Sequence, residues 1–311
     1  MVKDLITIDQ LSIEDIKEIH SQAEGYFSAN QTHEKRTSEL SGKILVNFFF
    51  ENSTRTRTSF EIAAKRLGAD VVNIDISLSS LKKGESIIDT AKTINSMRPD
   101  FVAIRHNSSG VVAMLKQYIE ASLINAGDGT NEHPTQALLD SFVIKKHVKN
   151  LKGDLGNLKI AICGDVLHSR VARSNIKLLK KFGSEIRVIT PPTLITKGYR
   201  KWLKETWDIE VFESLEEGIR DADVIMMLRI QQERMLGCYI PSLGEYFKLY
   251  GLTHEKIKAA KPQVLVMHPG PINREVEISS ALADDVNVSL ILEQVEAGVA
   301  VRQAILKFLF G

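Results

Sequence analysis

Eight short apolar runs separated by longer amphipathic stretches constrain this chain more than any other feature of its sequence. Residues 44–50, 71–76, 102–105, 123–125, 159–163, 186–189, 224–228 and 264–267 read as strands, with helical patterns between them. A strand that pairs parallel with its neighbour needs a crossover long enough to hold a helix, so this alternation predicts parallel sheets and an α/β fold. The runs fall into two groups of four, parted by a helical stretch at 135–148 and a polar turn at 150–157 that carries Gly153 and Gly156. A length of 311 residues suits two domains. The expectation is two doubly wound domains, each with a central parallel sheet, at 1–148 and 149–288. The amphipathic segment 289–311 is expected to pack back on the first domain and complete it.

Charge narrows the partners. Forty Lys and Arg against thirty-nine Asp and Glu leave a formal charge of +1, so no global field exists to hold nucleic acid or an anionic membrane. Any anion site must be local. The two cysteines, Cys163 and Cys238, form neither a CxxC nor a Cys/His pattern, which argues against a disulfide scaffold or a structural metal and for a reducing, cytoplasmic setting. The first residues break into charge at Lys3, unlike a signal peptide, and no run of eighteen apolar residues occurs, so no membrane partner is expected. GDVLHSR lacks the G-x-G-x-x-G spacing, and no Walker lysine, G-x-S-x-G or H-E-x-x-H is present. Neither nicotinamide nor nucleoside triphosphate is implied.

In doubly wound sheets ligands bind outside the carboxyl ends of the strands. The first run leads straight into Glu51-Asn52-Ser53-Thr54-Arg55-Thr56-Arg57-Thr58 and then a helix. Free N–H groups and the dipole at a helix N-terminus favour an anion, and hydroxyls with arginines add donors, so this is a candidate anion cradle. The bland alternative is that Ser53 or Thr58 only caps the helix, with Glu61 closing a capping box from Thr58. Arg105-His106 follows the third run, and His133-Pro134-Thr135-Gln136 follows the fourth within AGDGTNEHPTQALLD. His106 reads as a packing or surface residue. An imidazole and an amide beside an anion cradle, as at His133 and Gln136, can polarise a carbonyl and orient its nitrogen substituent. In the second half GDVLHSR, MLRIQ and HPGPINR place Arg170, Arg229, Gln231 and the Pro269-Gly270-Pro271 turn at strand ends. Two separated guanidiniums suit two carboxylates, against the alternative of surface ion pairs. The polar loop from Ser79 to Ser86, with Lys82 and Lys83, reads as solvated.

Taken together, STRTRTSFE, SLKKGES, RH, AGDGTNEHPTQALLD, GDVLHSRVARS, LRIQQERM and HPGPINREVEI resemble the carbamoyltransferase family over nearly the whole chain. R-x-Q and H-P-G-P match its aspartate-using branch, and the H-C-L-P and S-M-G elements of the ornithine-using branch are missing. The resemblance implies transfer of the carbamoyl group of carbamoyl phosphate to L-aspartate, the committed step of pyrimidine synthesis, with no cofactor and no metal. It places Ser53, Thr54, Arg55, Thr56 and Arg105 on the phosphate, and Thr56, Arg105 and His133 on the carbonyl oxygen. Gln136 and carbonyls of the turn formed by Pro269, Gly270 and Pro271 hold the carbamoyl NH2, and Arg170, Arg229 and Gln231 hold the two carboxylates of aspartate. It also implies a homotrimer in which Lys83, with Ser79 or Ser80, enters a neighbour's site, domain closure that excludes water, and regulatory or dihydroorotase-like chains as possible partners. Glu132 stands where the family often has glutamine and is expected to retune His133. No matched carboxylate stands ready as a base, so the departing phosphate is expected to accept the amine proton. The competing readings are a carbamoyltransferase for another amine and a phosphate-binding homologue without catalysis.

Overall fold

A computed structural model describes residues 2–75, 84–148, 155–231 and 240–311. The chain divides into two compact units, Met1–Phe142 with Val295–Gly311, and Val143–Gln294.

In the first unit four parallel strands, β1 (Ile44–Phe49), β2 (Asp70–Asp75), β3 (Phe101–His106) and β4 (Ser122–Asp128), lie in the order β2-β1-β3-β4. Helix α1 (Ile13–Asn30) precedes them, α2 (Thr54–Arg66), α3 (Ile87–Ser96) and α4 (Val111–Leu115) connect them, and α5 (Pro134–His147) follows β4. The strands are apolar because both faces are covered: Val46, Phe48, Val102, Ile104, Leu115 and Leu123 share one buried cluster. α1 starts at a reciprocal cap, where Ser12 Oγ accepts the Asp15 N–H at 3.0 Å and Asp15 Oδ2 accepts the Ser12 N–H at 2.8 Å. The free edge of β4 is covered by the N-terminal chain, since the Leu5 N–H donates to Leu123 O and the Asn125 N–H donates to Leu5 O, each at 2.8 Å. β4 runs three residues beyond the expected 123–125. Gly127 and Asp128 look like loop residues, yet all seven positions of the strand are buried, and Asn125 Nδ2 within it donates to Ile6 O at 3.0 Å.

The second unit holds five parallel strands, β5 (Lys159–Cys163), β6 (Glu185–Ile189), β7 (Glu210–Phe212), β8 (Val224–Met227) and β9 (Leu265–Met267), in the order β7-β6-β5-β8-β9. Its helices are α6 (Arg170–Lys181), α7 (Lys197–Trp207), α8 (Leu215–Gly218), α9 (Leu243–Tyr250) and α10 (Ser280–Ala283). The four strands expected here become five. β7 escapes the sequence pattern because it is a three-residue edge strand, exposed at Glu210 and half-buried at Val211 and Phe212, with no apolar run to announce it. The core packs Ile225, Met227, Val266, Leu252 and Leu282 together.

The last helix, α11 (Ile291–Phe310), is counted with the first unit from Val295 onward. There it packs as expected: Ser59 Oγ on α2 donates to Gly298 O at 3.1 Å, and Asn30 Nδ2 on α1 donates to Gln303 Oε1 at 2.8 Å.

In both sheets the chain reverses its winding once. After β1 it moves outward to β2 and returns to β3; after β5 it moves outward through β6 and β7 and returns to β8. The crevices at the carboxyl ends between β1 and β3, and between β5 and β8, are therefore the topological switch points where ligands bind in this class of sheet.

Helix α8 lies so close to β6 that a Cβ on Gly218 would collide with Ile189 Cγ1 and lie 3.1 Å from Phe212 Cβ. Gly218→Ala is expected to lower the unfolding free energy by about 1–3 kcal/mol through overpacking, read as a lower urea midpoint with an unchanged slope.

Candidate active site

Ser53, half-buried at the exit of β1, is the N-cap of α2, yet its side chain makes no capping bond. The helix begins at Thr54, so Thr58 lies inside it and the capping-box reading fails. Glu61 instead receives Lys65 Nζ at 2.6 Å and Asn73 Nδ2 at 2.9 Å. The first helical N–H with an intrahelical acceptor belongs to Arg57, which donates to Ser53 O at 3.1 Å. The N–H groups of Thr54, Arg55 and Thr56 precede it in the first turn, where a helix offers its donors and its positive dipole end to an anion. Thr56 is buried, whereas Thr54 and Arg55 are exposed.

Register brings Arg105 to the same place, because Phe49 on β1 pairs with Arg105 on β3. Its guanidinium is held from two sides: Nε donates to Glu51 Oε2 at 3.1 Å and Nη1 to Ala126 O at 3.3 Å. His106 points its chemistry into the local turn. Its ring packs on Phe50 with centroids 4.6 Å apart, and Nδ1 accepts the Ser108 N–H at 2.9 Å. Burial disfavours its charged form and moves its pKa below 6.5.

His133 and Gln136 are delivered by a loop built around one buried carboxylate. Asp128, 1% exposed, accepts Asn125 Nδ2 at 2.9 Å, the Gly110 N–H at 2.7 Å, the Glu132 N–H at 3.1 Å and Asn131 Nδ2 at 3.1 Å. Gly129 has φ +48°, and a Cβ there would meet the Ser109 N at 2.5 Å, so the close approach of the two loops requires glycine. Pro134 then opens α5, leaving His133 at its entrance, 4% exposed. Gln136 Nε2 donates to Asp140 Oδ1 at 2.9 Å. A carboxylate only accepts, so the amide must turn its NH2 to Asp140, which makes Oε1 the end that can accept from a ligand. Glu132, also 1% exposed, takes the Ile8 N–H on Oε2 at 3.0 Å and so ties this loop to the start of the chain.

The second unit repeats the arrangement. Gly164 at the exit of β5 has φ +122°, and a Cβ would lie 2.9 Å from Leu228 O at the exit of β8. Asp165 accepts His168 Nδ1 at 2.8 Å, Ser169 caps α6 by accepting the Ala172 N–H at 3.2 Å, and Arg170 is the first helical residue. Only 4% exposed, Arg170 does not fit a surface ion pair. Arg229 and Gln231 follow β8 half-buried. Between them the Ile230 N–H donates at 3.0 Å to Glu277 Oε1, which also takes Asn273 Nδ2 at 2.8 Å, while Oε2 takes the Asn273 N–H at 2.8 Å. Burial raises the Glu277 pKa. Glu277 Oε2 lies 3.8 Å from His268 Nε2, and His268 Nδ1 accepts the Gly270 N–H at 2.9 Å, so the buried acid that anchors the R-x-Q exit also stands beside the histidine that holds the Pro269-Gly270-Pro271 turn, whose Gly270–Pro271 bond is cis.

The first sheet thus collects Ser53, Thr54, Arg55, Thr56 and Arg105 at its switch point with His133 and Gln136 at the neighbouring strand exit, and the second collects Arg170, Arg229 and Gln231 at its own. Lys83, Ser79 and Ser80 lie outside the described residues. The positioning acids Asp128, Asp140 and Glu277 escape sequence reasoning even though each lies inside a motif already singled out. The one available signal was helical spacing, which sets Asp140 four residues after Gln136. Among the described residues no trio of His, Cys, Asp or Glu is grouped to hold a metal, and no helix is long and apolar enough to cross a membrane.

Two doubly wound units with anion donors at their switch points define an α/β protein built to bind small phosphorylated and carboxylated molecules. Residues 3–146 match the aspartate/ornithine carbamoyltransferase carbamoyl-P binding domain, and residues 156–309 match the Asp/Orn binding domain of the same family. The chain belongs to the aspartate/ornithine carbamoyltransferase family. It is 54% identical over 302 residues to an aspartate carbamoyltransferase catalytic subunit of Parvibaculum lavamentivorans, covering 97% of this chain and 90% of that one. Among solved structures it is similar to aspartate transcarbamoylase from Trypanosoma cruzi in complex with carbamoyl phosphate and aspartate, with a TM-score of 0.85 at 29% identity over 98% of this chain and 95% of that one. Ornithine carbamoyltransferase from Pyrococcus furiosus gives a TM-score of 0.83 at 26% identity over 98% and 96%. The fold alone therefore does not choose the amine.

Because His106 has a folded pKa below 6.5, the unfolded chain binds its proton first as the pH falls. Its contribution to stability is complete above that value and is lost as the pH drops toward the folded pKa. His106→Gln is expected to lose less stability than wild type between about pH 7.5 and about pH 5.5, measured as urea midpoints at the two values.

Proposed function

We propose that this chain transfers the carbamoyl group of carbamoyl phosphate to the α-amino group of L-aspartate, giving N-carbamoyl-L-aspartate and phosphate. What supports the reading is that hydroxyls and guanidiniums, which suit a phosphate, stand at the β1/β3 switch point, and two arginines and a glutamine at the β5/β8 switch point. A diacid uses two guanidiniums; a cationic acceptor such as ornithine would meet Arg229 at its side chain and be repelled.

The phosphate is assigned to Ser53, the first-turn N–H groups with Thr54, Arg55 and Thr56, and Arg105. Thr56, Arg105 and His133 donate to the carbonyl oxygen, where negative charge grows as the amine attacks. Gln136 Oε1 and the carbonyls of the turn formed by Pro269, Gly270 and Pro271 accept the carbamoyl NH2. The carboxylates of aspartate are assigned to Arg170, Arg229 and Gln231. One bond forms, from the amine nitrogen to the carbamoyl carbon; one breaks, from that carbon to the phosphate oxygen; the amine proton leaves with the phosphate. The donor is already an activated mixed anhydride, so orientation suffices, and holding amine and carbonyl at near-attack distance contributes roughly 7–11 kcal/mol in favourable intramolecular models.

The reading extends to a cytoplasmic homotrimer in which Lys83, with Ser79 or Ser80, completes a neighbouring subunit's site. The family resemblance of SLKKGES supports it, as do the near-neutral charge and the buried free thiol of Cys163 for a reducing compartment.

Carbamoyl phosphate consumption with L-aspartate and, separately, L-ornithine tests the reaction. Wild type is expected to form carbamoyl-aspartate and no citrulline, and Arg229→Ala to lose about a hundredfold in kcat/KM, equivalent to about 3 kcal/mol for a buried charged contact. Citrulline as the product, or no turnover in a folded sample, overturns the reading. Shared sites are tested by mixing: Lys83→Gln and His133→Ala chains, each nearly inactive alone, are expected to regain activity when dissociated and reassembled together. Activity that stays at the level of the separate variants rules sharing out.

A further inference from the structure

We propose that His268 is the positioning residue that aims the Pro269 carbonyl of the Pro269-Gly270-Pro271 turn at the carbamoyl NH2. The inference rests on the carbamoyl-transfer reading of this site and gives a role to a side chain which that reading leaves unassigned.

His268 follows directly on β9, 1% exposed, and its own N–H donates to Gln294 Oε1 at 2.9 Å. Its ring reaches two residues along the chain, where Nδ1 accepts the Gly270 N–H at 2.9 Å. A backbone N–H can only donate, so Nδ1 carries no proton in this bond, and the neutral ring holds its proton on Nε2. Nε2 faces the Glu277 side of the ring, 3.8 Å from Oε2. At the end of β3 His106 makes the same bond, with Nδ1 accepting the Ser108 N–H at 2.9 Å. Histidine thus serves a strand exit in each unit as asparagine and aspartate serve ordinary turns, by binding the N–H two residues on.

The group that His268 holds is one end of a peptide plane. The Gly270 N–H and the Pro269 C=O belong to the same peptide, which is trans, so the two point in opposite directions. With the N–H directed at the buried imidazole, Pro269 O is directed away from it. Gly270 has φ +64°, a region that glycine enters about as readily as the right-handed one, so the residue itself does not choose the sense of this peptide. Turned over, the peptide would set Pro269 O against the lone pair of Nδ1, acceptor against acceptor. It would also present an N–H where the carbamoyl NH2 requires an acceptor. His268 therefore selects the one sense of the turn in which a carbonyl faces the substrate's nitrogen.

The test uses the full enzyme and two ligands that differ in one group: carbamoyl phosphate, and acetyl phosphate, which carries CH3 in place of NH2. His268→Leu removes the acceptor and keeps apolar bulk, whereas His268→Asn restores an acceptor that reaches the N–H two residues on. In equilibrium binding, His268→Leu is expected to weaken carbamoyl phosphate about threefold to tenfold, the loss of one hydrogen bond, and acetyl phosphate less than about twofold. His268→Asn is expected to bind both within about twofold of wild type. In 15N-histidine spectra, recorded without substrate and assigned by the signal lost in His268→Asn, the wild-type ring is expected to carry its proton on Nε2. A ring protonated on Nδ1, unchanged carbamoyl phosphate binding in His268→Leu, equal weakening of the two phosphates, or an asparagine variant as impaired as the leucine one overturns the inference. If the leucine variant does not fold, His268→Gln, whose amide stands one methylene further out, replaces it as the variant lacking an acceptor at the Nδ1 position. A wild type that binds no carbamoyl phosphate overturns the carbamoyl-transfer reading instead, and the tautomer still decides whether His268 holds the turn.

Discussion

Parallel pairing is the constraint from which the rest of this structure follows. Strands that run the same way must all end at the same edge of the sheet, and helices must carry the chain back to the start of the next strand. In the first unit this places the exits of β1, β3 and β4 side by side, and in the second the exits of β5 and β8. Reversal of the winding direction leaves no crossover helix filling the gap between the two strands concerned. A site then needs only residues of suitable chemistry in the first few positions after each strand. The chain spends those positions on hydroxyls, guanidiniums, one imidazole and two carboxamides.

Loops at strand exits carry polar backbone groups that cannot remain both buried and unpaired. The two units answer this in the same way, with a buried carboxylate that gathers donors from several segments. Asp128 binds N–H or NH2 groups from Gly110, Asn125, Asn131 and Glu132; Glu277 binds those of Ile230 and Asn273. Burying a carboxylate costs several kcal/mol unless its oxygens are fully hydrogen-bonded, so each acid specifies a single arrangement of the loops around it. A Cβ at Gly129 or Gly164 would strike backbone atoms of the adjoining exit, which is why these loops approach as closely as they do. Rigidity at the site is thus a property of its supports and not of the ligand-facing side chains alone.

What the sequence discloses is what is local. β1 and the cradle after it are legible because ILVNFFF followed by S-T-R-T-R is a contiguous strand, turn and helix start. The misreadings have physical causes. Thr58 and Glu61 satisfy the spacing of a capping box, but the helix already begins at Thr54, because the N-cap role falls to Ser53. β7 is three residues at an exposed edge and needs no apolar pattern to pair with β6. β4 continues past Asn125 to Asp128 because the Asp128 carboxylate finds partners inside the protein, a circumstance that hydropathy does not report. The contact from Arg302 to Thr135 joins positions 167 apart, and nothing in either segment announces the other.

The division between ligand-facing residues and their supports matters more here than in an enzyme that forms a covalent intermediate. Carbamoyl phosphate arrives activated, so the protein's contribution is geometry and a field of oriented donors. A donor that rotates by one tautomer, or an amide that flips, presents a lone pair where a proton is required and converts stabilisation into repulsion. Side chains with a choice of polarity, His133 and Gln136, are the vulnerable members of such a set; arginine, with donors only, has no wrong orientation. Both stand against buried polar supports, His133 Nδ1 at 3.5 Å from Thr135 Oγ1 and Gln136 Nε2 donating to Asp140 Oδ1 at 2.9 Å, while Arg105 donates to Glu51 and to Ala126 O. Arg302 on the last helix donates to Thr135 Oγ1 at 3.3 Å, so that helix braces the segment that carries both side chains.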